Sequence, residues 1–103
     1  MNRNRADSYI PALAATRLDL PPAWGRLTSL SPQEAEFLSQ FELPAGRELA
    51  LDFDLGGAGF SAVTAVIKTR LRDKDGYFHY RLVFSDTAQR ELLRQALAAL
   101  PRR

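Results

Sequence analysis

The chain has 103 residues, 46% of them hydrophobic, which suits one small domain around one core and leaves no room for a second. It holds no cysteine and one histidine, so disulfide staples, thiolate zinc sites and histidine-rich metal clusters are excluded. The net charge is only +2 although the pI is 9.4, and Arg3, Arg5, Arg102 and Arg103 lie at the two ends, so no internal basic run points to nucleic acid.

The opening stretch, residues 1–10, is expected to be a flexible segment. Its apolar part is broken by Pro11 and Arg17, too short and interrupted for a signal peptide or a membrane span, so a cytoplasmic location is expected. "ALAATRLDL" and "WGRLTSL" are short strand candidates separated by Pro21 and Pro22. Trp24, beside Gly25, is expected as a core plug, with an exposed anchor for another protein as the alternative. In "SLSPQEAEFL", residues 29–38, Ser31 with Pro32 next and Glu34 three residues on has the chemistry of a helix start. The same letters also suit a worn ligand loop, ordered locally as a turn by that cap signature.

From residue 47, "RELALDFDL" alternates, with Leu49, Leu51, Phe53 and Leu55 on one side and Glu48, Ala50, Asp52 and Asp54 on the other. That period of two makes a strand with one buried face. "GGAG" at 56–59 is a turn, and "FSAVTAVIKTRLRD" with its β-branched residues is a longer strand. "DKDG" at 73–76 reverses the chain, and Phe78, Tyr80, Leu82 and Phe84 share one face of the strand that follows. Then the period changes. Ser85 or Asp86 caps a helix whose Leu92, Leu93, Ala96, Leu97 and Leu100 recur at helical spacing until Pro101. The economical arrangement is all-β with a C-terminal helix: a small six-stranded antiparallel β-barrel over residues 12–84, closed by a helix over 86–100. One domain spans 1–103.

Other signals have plainer readings. "GAGFSA", residues 57–62, satisfies the dinucleotide-binding pattern, but the β-branched residues after Gly59 and the short chain point to a hairpin. Asp52 and Asp54 share a strand face with no histidine nearby in sequence, which reads as a solvated outer surface. His79 points away from the core and reads as a surface or partner contact. Lys68, Arg70, Arg72, Tyr77, His79 and Arg81 cluster on one hairpin, the arrangement of small barrels that bind single-stranded nucleic acid; a solvated face is the plainer reading.

The run "SLSPQEAEFLSQFELPAGREL", residues 29–49, resembles the central segment of the PilZ domain family. There a D/N-x-S-x-x-G loop leads into an Ala-x-hydrophobic strand, an "LPxG" turn and a long strand. Ser31, Ala35, Phe37, Leu38, Leu43, Pro44, Gly46 and Leu49 fall in step with that pattern, and "GYFHYRLVF" with its helix is similar to the family's last strand and closing helix. The resemblance implies a PilZ-like barrel in bacterial cyclic di-GMP signalling, governing motility, pili or biofilm matrix. It implies cyclic di-GMP as the ligand, gripped by an N-terminal RxxxR segment and read by the D/N-x-S-x-x-G loop. The corresponding residues here are Arg3, Arg5, Ser29, Ser31 and Glu34.

The chain departs from the pattern at most of these places. Ser29 stands at the Asp/Asn position, Glu34 at the Gly position, and four residues after Arg5 comes Tyr9. Losing one bidentate arginine contact to phosphate costs on the order of 2 to 3 kcal/mol, roughly a 30- to 150-fold loss of affinity. Expected, therefore, is a non-enzymatic regulatory or adaptor domain, without a cofactor or metal, that works by binding another protein with weak or no nucleotide binding. Two other functions remain: a genuine cyclic di-GMP receptor in which Arg3, Arg5, Arg17 or Arg26 replaces the missing arginine, and a small nucleic-acid-binding barrel. The leucine-rich helix leaves dimerisation open.

Overall fold

A computed structural model describes residues 9–16 and 21–100. Arg3, Arg5 and Arg17, most of the expected flexible segment and Pro101 lie outside the described residues. Six strands and one helix follow in order: β1 (Ile10–Ala15), β2 (Ala23–Leu30), β3 (Glu34–Ser39), β4 (Glu48–Leu55), β5 (Ala58–Arg72), β6 (Phe78–Phe84) and α1 (Thr87–Ala98). All pairings are antiparallel, and the sheet closes on itself in the order β1-β2-β3-β6-β5-β4 as β1 returns to β4. This is the expected six-stranded barrel with a C-terminal helix. Closure gives the short first strand a ladder on both edges.

Alternation decides what fills the interior. Leu49, Leu51, Phe53 and Leu55 of β4 are all buried, as are Tyr80, Leu82 and Phe84 of β6, while Asp52 and Asp54 face outward. Gly56 and Gly57 (φ 59° and 90°) form a two-residue loop between β4 and β5, since only a mirror-image turn matches the twist of both strands. The turn is thus tighter than "GGAG", and β5 already begins at Ala58. At the other hairpin Asp73 organises a longer loop: its Oδ1 accepts from the N–H groups of Asp75 (2.9 Å) and Tyr77 (3.0 Å), and Gly76 takes the positive φ of 91°.

Two expectations about burial are corrected. Trp24 is 62% exposed, not a core plug. Ala23 and Leu27 point inward from β2, so parity turns Trp24 outward, and the ring of Phe37 occupies the space left by Gly25. Leu92 is 55% exposed; of the helical stripe only Leu93 is fully buried, with Ala96, Leu97 and Leu100 partly covered against the barrel. Asp86 is the N-cap, its carboxylate accepting from the Gln89 N–H.

Candidate functional site

The loop between β2 and β3 carries the residues expected to read a nucleotide. Ser31 does not start a helix there; it closes a tight turn into β3. Its N–H donates to the Glu34 carbonyl (2.9 Å), and its Oγ accepts from the N–H groups of Gln33 (3.3 Å) and Glu34 (3.1 Å) while donating to the Glu34 carbonyl (3.2 Å). A hydroxyl has one proton and two lone pairs. All of the Ser31 capacity is therefore committed inside its own loop.

Glu34 follows as the first residue of β3, and its Oε1 accepts from Arg81 Nη1 on β6 at 3.0 Å, with both side chains half exposed. Ser29 is exposed, paired in register with Glu36 across the β2–β3 ladder. Arg26, next but one to Trp24, lays its guanidinium over the ring of Tyr9, 4.5 Å from the centroid. The structure thus brings Ser29 near the end of β2, Ser31 in the loop and Glu34 at the start of β3 to one β2–β3 turn.

The basic hairpin is partly neutralised. Arg70 pairs with Glu42 (3.0 Å) and donates to the Leu43 carbonyl (3.3 Å), Arg81 pairs with Glu34, and His79 Nε2 lies 2.8 Å from Asp73 Oδ2. That His79 hydrogen bond is the chief reason the Asp73 carboxyl is held below its ordinary range, with the N–H groups of Tyr77 and Asp75 assisting against some burial. Arg72 stacks toward Phe78 at 5.6 Å. Arg70 and Arg81, two of the cluster's four lysine and arginine side chains, are thereby paired with carboxylates.

A different feature gathers exposed apolar area. Trp24 and Phe41, the latter 51% exposed, stand over a cleft of about 270 Å³ that also takes in Arg26, Gln40 and Tyr77. Its floor is rigid: the buried Ser39 donates to the Trp24 carbonyl (2.6 Å) and accepts from the Phe41 N–H (3.1 Å). On its far side Tyr80 donates to the Phe41 carbonyl (2.6 Å) and accepts from the Leu43 N–H (2.7 Å), tying the 40–47 loop to β6. Burial raises the Tyr80 phenol above its usual pKa, against the lowering effect of the Leu43 N–H and of Arg70. Neither clamp was expected from sequence, because the partner groups are backbone.

Among the described residues, no group of three or more His, Cys, Asp or Glu side chains is placed to hold a metal ion, and no helix is long and apolar enough to cross a membrane. No protein-family model and no curated protein matches this chain.

Proposed function

We propose that this chain is a non-enzymatic, PilZ-like regulatory or adaptor domain, acting in the bacterial cytoplasm in cyclic di-GMP-associated control of motility, pili or biofilm, and binding another protein rather than the messenger. The closed six-stranded barrel with a C-terminal helix agrees with the resemblance of residues 29–49. The observation that carries the reading is the internal saturation of Ser31, the one position at which the nucleotide-reading motif is intact. A nucleobase would have to displace two backbone donors to reach that hydroxyl, and Glu34 would set a carboxylate beside its phosphates. The protein partner is assigned to the Trp24–Phe41 cleft, since exposed tryptophan and other aromatic side chains are enriched among interface anchors.

Calorimetric titration with cyclic di-GMP tests the first half: no binding at micromolar concentrations is expected. Micromolar or tighter binding abolished by Arg5→Ala and Ser31→Ala would overturn it in favour of a messenger receptor. Pull-downs from the native host with the wild type and Trp24→Ala test the second, the partner being the protein that the variant loses. A gel shift with single-stranded oligonucleotides at low salt is expected to be negative.

A further inference from the structure

Strand β5 outruns both of its neighbours. β4 pairs with it over Ala58–Val66 and β6 over Ala65–Arg72, so at each end one edge of the strand lacks a partner strand. The two overhangs are built differently. Beyond Ile67 the strand carries Lys68, Arg70 and Arg72, charges of the kind that deter a foreign strand. Before Val63 it reads Ala58-Gly59-Phe60-Ser61-Ala62, without a charge.

The pleat identifies which groups are open. With Gly56 and Gly57 as a two-residue loop, Leu55 and Ala58 close the ladder, and alternation turns the N–H and C=O groups of Gly59 and Ser61 away from β4. Among the described residues no backbone or side-chain partner meets them there. The next groups along the same edge are already covered by a surrogate: Gln89 of α1 accepts from the Thr64 N–H (2.8 Å) and donates to the Ala62 carbonyl (3.1 Å), its carboxamide copying a peptide unit. The protein satisfies this edge down to residue 62 and stops.

The surroundings of the open edge define the chemistry of an occupant. Between β5 and α1 runs a groove of about 540 Å³, lined by Phe60, Val63, Leu92 and Ala96, which explains why Leu92 is left exposed on the helix. On the outer face, Asp54 Oδ1 lies 3.2 Å from the place a Cβ on Gly59 would take. The carboxylate thus leans over the bare glycine, and it forms no ion pair among the described residues.

We infer that the Gly59–Ser61 edge of β5 takes an extended peptide segment by strand addition, with an aliphatic side chain in the groove beside α1 and a lysine or arginine reaching over Gly59 to Asp54. Only a backbone offers donors and acceptors at the spacing of a ladder, and the alternation of a strand delivers the two side-chain types to opposite faces. The inference does not depend on the messenger reading.

The test uses the full isotope-labelled chain and a short synthetic peptide alternating valine and lysine, followed by amide shifts and hydrogen exchange. In the free protein the Gly59 and Ser61 amides exchange rapidly; with peptide they become protected, and shifts centre on residues 58–62, Leu92 and Ala96. A peptide N-methylated at alternate amides does not bind. Asp54→Lys, with the spectrum otherwise retained, weakens the lysine peptide roughly threefold to tenfold. Slow exchange of both amides in the free protein, shifts centred elsewhere, no binding at all, or equal binding of a valine–glutamate peptide each overturns the inference.

Discussion

Gly25 and Tyr80 show how few atoms set the outer face and the loops. A Cβ on Gly25 would lie 2.4 Å from the Leu38 carbonyl oxygen and 2.6 Å from the Phe37 ring. Backbone cannot yield as a side-chain tip does, so Gly25→Ala is expected to destabilise by about 1 to 3 kcal/mol or more, read as a lower denaturant midpoint. Tyr80→Phe removes one oxygen but orphans two backbone groups, the Phe41 carbonyl and the buried Leu43 N–H. About 1 to 3 kcal/mol is expected, or several degrees in thermal unfolding. Trp24 is the counter-example. Its size argued for burial, whereas the parity of Ala23 and Leu27 decided the matter; Gly25 between them was the available signal, since it makes room for Phe37 and leaves none for an inward tryptophan. The native emission of this only tryptophan should therefore resemble that of the unfolded chain, and acrylamide should quench it readily.

Elements were legible wherever a period ran long enough. The alternation of residues 49 to 55 and of 78 to 84 and the change to helical spacing after Phe84 located β4, β6 and α1, and of the two expected caps, Ser85 and Asp86, the structure uses Asp86. The early strands were harder, because β2 buries only Ala23 and Leu27 and carries a register shift between Leu27 and Ser29. The attachment of α1 was not legible at all. Gln89 sits where a capping residue would reach back along its own helix, yet it reaches across to β5. Gln89→Ala leaves the Thr64 N–H and Ala62 carbonyl to solvent, costing about 0.5 to 1.5 kcal/mol. Hydrogen exchange at Thr64 should rise in that variant while β1–β2 amides stay protected, because Leu93 and the barrel ladders remain.

For the whole molecule, closure of β1 on β4 and of β3 on β6 joins segments far apart in sequence, a topology that folds in milliseconds to seconds rather than microseconds. The pH dependence of that unit has a definite sign at the alkaline end. The folded state holds the Tyr80 proton more tightly than the unfolded chain does. Its contribution is thus complete below about pH 10, the ordinary tyrosine value, and fades as pH rises from there through the higher folded pKa. Denaturant midpoints measured across this range should fall for the wild type and fall less steeply for Tyr80→Phe. The architecture was legible as a whole because six short strands and one helix leave few closed solutions at this length. For the nucleotide site that the resemblance implies, the letters show only the departures from its pattern, Glu34 and Tyr9. The capping of backbone amides by Ser31 was foreshadowed by the Ser-Pro-x-Glu signature; that its hydroxyl also donates to the Glu34 carbonyl, and so is fully committed, was not.

Ala62 is the one described non-glycine residue with a positive φ, 53°, held from opposite sides by Asp52 (2.7 Å to its N–H) and by Gln89. A left-handed residue interrupts a pleat, so hydrogen bonding begun at the hairpin tip cannot propagate along β5 past this point. The barrel seam is thereby insulated from its own loose end: a strand that joined the tip would gain two or three rungs and then be turned aside, so the exposed edge makes a poor template for a long foreign ladder.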